Sequence, residues 1–299
     1  MKHQKTITTL VLLIFLLALT ASSIGVFSGW GQSGSEQTFQ SIFQENVKVY
    51  GKGIYKHDSV SVAAQGIAQD VVTMALGLPL LLVSLLLARR GLLKGRLLLT
   101  GTVGYFLYTY VSYSFLSMYN PLFLIYVALM SLSLFCFILC MLSIDTEQLK
   151  ASFGPKLPVK FIGGFQLFIA FTLMMLWLGK IVPLLTTGTA PAGLEYYTTL
   201  VIQALDLGII VPTAILSGVL LIRRKSLGYL LSSIVIIKGI TMLTAITAML
   251  IGQYLAGVQL GVVEVIAFPI FNLVTVVCLI LIMRSIKEQK LSKIPKALI

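Results

Sequence analysis

Two charged residues, Asp206 and Lys238, interrupt long apolar runs of this chain and are its first candidates for chemistry. An ionisable group held away from water costs several kcal/mol unless it is paired. The basic link Arg223-Arg224-Lys225 joins the two runs, so as helices they would be antiparallel neighbours. A lysine side chain is long enough to reach along a helix toward a carboxylate. The sequence therefore predicts an ion pair between Asp206 and Lys238.

Such a pair has two interpretations, which the sequence leaves open. In the first it only fixes the register of two helices. In the second it is a coupling switch for protons or ions, broken when a substrate or a cation takes the carboxylate. If the pair exists, Asp206→Asn alone should harm folding or activity more than the double change that also neutralises Lys238, and equal damage from both would remove the pairing.

A second polar group lies near the predicted outer ends of two apolar runs. Gln69 and Asp70 precede one run, and Glu264 lies at the start of another. If these helices converge, the carboxylates of Asp70, Asp206 and Glu264 would form an outer vestibule, with Gln69, that concentrates cations. Alternatively, Asp70 and Glu264 are N-terminal helix caps that accept backbone N–H groups.

A polar helix face is predicted in the tyrosine-rich run that follows. Tyr105, Tyr108 and Ser112 recur at helical spacing, and their hydroxyls would line a polar path or bond to neighbouring helices. The chain has two histidines, His3 and His57, and neither lies in an apolar run. It also lacks a Gly-rich phosphate loop ending in Gly-Lys-Ser/Thr. We therefore predict no catalytic residue, no metal site and no cofactor.

The elements that position these residues must be membrane helices. The chain is 58% hydrophobic and 11% charged, whereas a soluble domain is about a quarter charged. The run from Leu97 to Ile144 has no Asp, Glu, Lys, Arg or His. As a single helix it would be roughly 70 Å long, more than twice the ~30 Å hydrocarbon core of a bilayer. It must fold back once, and Tyr119-Asn120-Pro121 is suited to the turn.

We predict an all-α integral membrane protein with a bundle of eight transmembrane helices, or seven if the first is a cleaved signal peptide. The parts are 1–28 as the first helix or an uncleaved signal anchor, 29–70 as an extracytoplasmic loop with a short hairpin, 71–143 as helices two to four, 144–160 as a cytoplasmic loop, 161–283 as helices five to eight, and 284–299 as a basic cytoplasmic tail.

Charge predicts the orientation of the bundle. Seventeen of the 22 Lys and Arg residues fall on one side of the alternating runs, and positive loops stay in the cytoplasm. Both termini would then be cytoplasmic, and the inner surface would attract anionic lipids. The net charge of +12 is thus a topology signal, and we predict no nucleic-acid partner.

The longest loop and a faint repeat add two further expectations. In the loop, Val47–Tyr50 and Ile54–Lys56 would form two strands around a Gly51-Lys52-Gly53 turn. Loops this long usually have a role, so the 29–69 loop would be a lid, a protein contact or a plain connector. The order of acid, proline and basic stop at Asp70 and Pro79 recurs at Asp206 and Pro212. Two parallel four-helix halves would explain this order, as would chance.

Three functions are compatible with this pattern, in a bacterial plasma (inner) membrane. The first is a secondary carrier or permease-like protein for a small solute or ion, coupled through Asp206 and Lys238. The second is a non-catalytic sensor, assembly factor or partner subunit whose outer loop binds another protein. The third is a membrane-embedded lipid-modifying enzyme, which is least favoured because no catalytic groups cluster at one depth.

Overall fold

A computed structural model describes residues 3–34, 37–191 and 193–288. The chain is mostly helical, and within these residues seven helices are long and apolar enough to cross a membrane. This confirms the all-α membrane class. Lys2, Glu36, Lys290, Lys293 and Lys296, which entered the charge count, lie outside the described residues, as does most of the 284–299 tail.

The elements follow one another along the chain. The helices are α1 (Gln4–Phe27), α2 (Val60–Val72), α3 (Leu78–Arg89), α4 (Leu93–Phe115), α5 (Phe123–Leu142), α6 (Thr146–Ser152), α7 (Val159–Ile181), α8 (Leu184–Thr187), α9 (Val201–Leu205), α10 (Val211–Ile222), α11 (Ser226–Leu255) and α12 (Val262–Ser285). Two π-helical segments, Thr73–Gly77 and Asp206–Ile210, join α2 to α3 and α9 to α10. The strands β1 (Thr38–Gln40) and β2 (Asn46–Lys48) and a 3₁₀ turn (Gly53–Tyr55) precede α2.

The central helix of the bundle is α4, a further 23-residue helix. It packs against α3, α5 and α11, and it carries more hydroxyl groups than the seven apolar helices. Thr100, Thr102, Tyr105 and Tyr110 are all buried in it. Because these side chains face other helices, they can hydrogen-bond within the protein and need not face lipid.

The predicted hairpin was wrong in its pairing. β2 covers part of the expected first strand, but it pairs antiparallel with β1, and Phe39 lies opposite Val47. The turn between them forms around Ser41, whose hydroxyl accepts the N–H groups of Phe43 and Glu45 at 3.2 and 3.3 Å. The segment predicted as the second strand is instead the 3₁₀ turn Gly53–Tyr55.

Two helical hairpins, α3–α4 and α10–α11, have the same backbone when Pro79 is matched with Pro212. Each proline is the second residue of its helix and follows a five-residue π-helical segment directly. Proline has no N–H and its ring displaces the carbonyl four residues earlier, so the chain widens locally to accommodate it. The two π-helical segments therefore have the same cause.

The match extends through both turns. Gly91 (φ 83°) and Arg224 (φ 52°) both adopt the left-handed conformation at the same position. The next residues, Leu92 and Lys225, donate their N–H groups to the fifth residue before each. α4 and α11 then begin at matched residues. The backbone repeat is thus continuous from each π-helical segment into the following helix.

The two hairpins differ in how they are covered. α2 packs along α11, whereas its counterpart α9 is five residues long and touches α4 only slightly. α7 and α12, which flank the second hairpin, leave most of their surface uncovered within the chain. The first half of the bundle is therefore closely packed, and the second half is open on one side.

The end of the bundle that carries residues 37–59 and 193–200, called here the hairpin end, is held together by two acids, of which Asp58 is buried and Glu45 half-buried. The Asp58 carboxylate accepts the Met118 N–H at 2.9 Å and the Tyr197 hydroxyl at 3.0 Å. Glu45 accepts the N–H groups of Gly193 and Glu195 at 2.9 and 2.7 Å. Burial raises the pKa of Asp58 to about 6, and the two hydrogen bonds offset this only in part.

The opposite end, called here the basic end, carries Arg89, Arg90, Arg223 and Arg224. Here the Glu288 carboxylate accepts the N–H groups of Leu93 and Lys94 at 2.8 and 3.0 Å. Amides in the first turn of a helix have no partner within that helix, and a negative charge is favoured beside them. The chain segment after α12 is therefore fastened to the start of the central helix.

Candidate functional site

Tyr108 contacts both of the charged residues that the sequence singled out. Its hydroxyl donates to Asp206 Oδ1 at 2.7 Å, and the Lys238 ammonium lies 4.0 Å from the centre of its ring. The second carboxylate oxygen, Oδ2, accepts the indole N–H of Trp177 at 3.0 Å. Among the described residues, Asp206 thus hydrogen-bonds to Tyr108 and Trp177 rather than to Lys238. We call Tyr108, Trp177, Asp206 and Lys238 the charged cluster.

Four different elements supply the charged cluster. Tyr108 lies on α4, Trp177 on α7 and Lys238 on α11. Asp206 is the first residue of the second π-helical segment. The wider turn of a π-helix changes the direction of the side chains that it carries, and such turns are frequent at functional sites. The proline-induced widening therefore decides where the carboxylate points.

All four side chains of the charged cluster are half-buried. A tyrosine hydroxyl and an indole N–H hold the carboxylate, and an aromatic face stabilises the ammonium by about 0.5–2 kcal/mol. Any cation that bound Asp206 would compete with Tyr108 and Trp177 for its oxygens. The cluster thus keeps both charges in contact with polar or aromatic groups of the protein.

The matched positions of the first half hold a neutral version of this cluster. Thr73 corresponds to Asp206 and Tyr105 corresponds to Lys238 when the hairpins are aligned on their prolines. Their hydroxyl oxygens are 2.9 Å apart. Both residues are fully buried, in contrast to Asp206 and Lys238. The sequence pattern had paired Asp70 with Asp206, and the backbone repeat shows that pairing to be wrong.

Gln69 and Asp70 lie in the closely packed half. The Gln69 amide donates to the Tyr105 hydroxyl at 2.7 Å and to Thr109 Oγ1 at 3.0 Å. Asp70 is buried among tyrosines, as described below. The alternative that Asp70 caps a helix is wrong, because α2 begins at Val60 and Ser59 accepts its capping N–H.

The predicted vestibule residues occupy different surroundings. Gln69 and Asp70 are buried within the bundle, whereas Glu264 is half-buried in the first turn of α12. Glu264 has no hydrogen bond to either of them among the described residues. On the predicted polar face, Tyr105 and Tyr108 serve different clusters, and Ser112 donates to the Tyr108 carbonyl of its own helix.

Comparison with protein-family models, with curated proteins and with solved structures finds no match for this chain. The site is thus defined by its own contacts. Within the described residues, no group of three or more His, Cys, Asp or Glu side chains is placed to hold a metal ion.

Sequence reasoning missed three functional candidates: Tyr55, Tyr113 and Trp177. Trp177 carried a usable signal, because it is a lone indole within an apolar run and buried indoles usually need a partner for their N–H. Tyr55 gave none, since it lies in the loop and reaches a partner on α2 through tertiary packing. Tyr113 lies on α4 at a helical phase different from that of the predicted polar face, so the spacing gave no reason to include it.

Proposed function

We propose that this protein is a secondary carrier for a small solute or ion, and that the charged cluster couples binding to movement. In this proposal the helices cross the plasma membrane of a bacterium eight times, with α4 as the additional span. The basic end is cytoplasmic, faces anionic lipid head groups and carries both termini. The hairpin end is extracytoplasmic. The first helix is retained, since Gly25 on α1 packs directly against Asp70.

The observation that supports the carrier is that Tyr108 touches both charges at the point where a π-helical segment interrupts a span. When a cation binds Asp206, it takes oxygens that now accept from Tyr108 and Trp177. Lys238 then loses part of the negative charge of Asp206 that offsets its own positive charge. Because α9 is short and lightly packed, it is the element that can move in response.

The proposal is tested by uptake into vesicles reconstituted with the purified protein, screened over inorganic cations, organic cations, amino acids, sugars and organic anions. We expect at least one solute class to be transported by the wild type. Tyr108→Phe keeps the ring beneath Lys238 but removes the hydroxyl, and it should slow uptake at least about tenfold, which corresponds to roughly 1.4 kcal/mol. Tyr119→Phe, at an exposed tyrosine outside the charged cluster, is the control and should leave uptake unchanged.

A second pair of variants separates coupling from helix register. Asp206→Asn leaves Lys238 without its carboxylate and should lower the melting temperature in detergent. Adding Lys238→Met should restore that temperature, because the unpaired charge is gone. If uptake also recovers in the double variant, the pair serves register only. Equal uptake by wild type and Asp206→Asn in every class would overturn the carrier.

A partner subunit is the second candidate, and one observation favours it. At the hairpin end, the side chains of Trp30 and Ile42 are 75% and 86% exposed. Exposed apolar groups on a folded loop are typical of contact surfaces. A photo-crosslinking residue at position 42 should then give a defined adduct with another protein in intact cells. The same label at Gly164, which has open space around it, is the control.

A further inference from the structure

One carboxyl group lies fully inside the bundle with no cation beside it. Asp70 is 2% exposed, and its carboxyl packs so closely on α1 that a side chain at Gly25 would collide with it. Its hydrogen bonds are with two tyrosines. Tyr55 Oη lies 2.6 Å from Oδ2, and Tyr113 Oη lies 3.1 Å from Oδ1.

The number of available hydrogens decides the protonation state of this group. Tyr113 Oη also lies 2.9 Å from the carbonyl oxygen of Gly66, which can only accept. Three contacts therefore need three hydrogens, and the two tyrosines supply two. An ionised Asp70 would leave one acceptor facing another at hydrogen-bond distance. A protonated Asp70 completes the set by donating from Oδ1 to Tyr113, which in turn donates to Gly66.

We infer that Asp70 is a proton-binding site whose carboxyl group is protonated at neutral pH. Burial acts in the same direction, because an isolated carboxylate away from water is costly and the group accepts a proton instead. The network also explains the glycine at position 25, since only a residue without a side chain leaves room for the carboxyl group there.

The groups that face Asp70 are neutral on every side. Tyr55 comes from the 3₁₀ turn, Tyr105, Tyr110 and Tyr113 come from α4, and Tyr126 comes from α5. Gly25 is the contact from α1. No Lys, Arg or His among the described residues bonds to Asp70. Lys52 lines the neighbouring cavity but has no bond to Asp70, so a proton is the group that neutralises this carboxylate.

The site has a short route to the hairpin end. A cavity of about 110 Å³ lies there, and Gly25, Trp30, Lys52 and Tyr55 are among its lining residues. Gly25 and Tyr55 both contact the Asp70 carboxyl. A proton entering this cavity thus needs only a rearrangement of the Tyr55 hydroxyl to reach Oδ2. The charged cluster has no part in this route.

If the protein is the proposed carrier, Asp70 is the site that holds the coupling proton, in the opposite half from Asp206. This role in coupling rests on the proposed function. Protonation of Asp70 does not, because it follows from hydrogen bonds that are present without any solute. The two statements therefore have separate tests.

The test of protonation is infrared spectroscopy of the whole protein in lipid, with aspartate carrying carbon-13 in its side-chain carboxyl group. At pH 8, well above the pKa of about 6 for Asp58, that residue is ionised. We expect an isotope-shifted carboxylic acid band in the wild type. The band should vanish in Asp70→Asn and persist in the matched control Asp206→Asn. A wild type without the band, or a band that survives Asp70→Asn, overturns the inference.

Asp70→Asn should fold, because its amide N–H can replace the carboxyl hydrogen that donates to Tyr113. Should it fail to fold, the band is assigned by elimination with Asp206→Asn and Asp145→Asn, since Asp145 is exposed. Loss of the band in either of these variants would contradict the assignment. If the band is confirmed but uptake does not depend on a pH gradient, Asp70 is a proton-binding site and the carrier is not coupled to protons.

Discussion

The two matched hairpins share a backbone but differ in the groups that they hold. In the closely packed half, the matched pair is Thr73 and Tyr105, both neutral and fully buried. In the open half, the corresponding pair is Asp206 and Lys238, both charged and half-buried. Charge is thus present where the side chains are only half-buried, and absent where the matched side chains are fully buried. This follows from the cost of desolvating an ion, which rises steeply with burial.

The coverage itself is explained by the segments before the π-helical turns. α2 has 13 residues and lies along α11, close enough that a side chain at Gly252 would press on the Ala64 carbonyl oxygen. α9 has five residues and no comparable neighbour. The longer helix in front of Pro79 thus makes an extensive contact with α11, whereas the short helix in front of Pro212 makes only a slight contact with α4.

The largest expected effect tests whether the two hairpins really share their packing. Gly95 and Gly228 are matched residues, and a Cβ on either would overlap the backbone of the preceding helix. We expect Gly95→Ala and Gly228→Ala each to lower the free energy of unfolding by about 3 kcal/mol or more, because backbone cannot move aside as a side chain can. Melting temperature in detergent measures this loss.

Gly164→Ala provides the control for both, because nothing lies within 4 Å of its added methyl group. It should be neutral or stabilising, since alanine favours a helix by roughly 0.5–1 kcal/mol over glycine. A clear difference between the effects at Gly95 and Gly228 would show that the two hairpins are not equally packed at these matched glycines.

A second prediction concerns the acids that join the outer segments of the two halves. Asp58 of the first half binds Tyr197 of the second, and burial raises its pKa to about 6. The folded state then holds this proton more tightly than the unfolded chain. Stability from this group is present below about pH 4 and is lost as pH rises to about 6, by roughly 1.4 kcal/mol per unit.

Hydrogen exchange of the amides at the hairpin end should therefore slow as pH falls from 7 to 4, after correction for the intrinsic rate. Asp58→Asn removes the titrating group and should abolish this change, and Asp145→Asn, on an exposed loop, should not. The same pH dependence in Asp58→Asn would show that another group titrates there.

The smallest expected effect compares two matched serines. Ser84 donates to the Leu81 carbonyl, whereas Ser217, whose Oγ also lies near the Ala214 carbonyl, can give its hydrogen to the buried amide oxygen of Gln166 on α7. Ser217→Ala should cost about 1 kcal/mol, and Ser84→Ala should stay within about 0.5 kcal/mol. Chemical unfolding of the two variants measures the difference. Equal costs would mean that Gln166 does not hold α7 to the second hairpin.

Much of the fold was predictable because it depends on composition and local pattern. Long apolar runs identified the helices, and the prolines at 79 and 212 with their basic stops pointed to a repeat. The pairing of the hairpin strands was not predictable from the sequence. The strand around Val47 has a chain segment on either side that could pair with it, and tertiary contacts decide which one does. The acids recur only in order and not in spacing, because Asp70 lies farther before Pro79 than Asp206 lies before Pro212.

The candidate site was predictable only in part. Asp206 and Lys238 stood out because charge is rare in apolar runs. Their shared contact, Tyr108, was seen only as one member of a polar face. The protonated state of Asp70 depends on three distances among residues that are far apart in sequence. No local pattern carries that information, because hydrogen counting requires the donors and acceptors to be placed first.

The two hydrogen bonds that Glu288 accepts from the first turn of α4 have a consequence for the movement of this helix. α4 carries the tyrosines of both clusters, so a tilt of this helix changes both at once. At the basic end, such a tilt must first release two amide groups from one carboxylate. These two hydrogen bonds therefore resist a tilt of the central helix at the basic end.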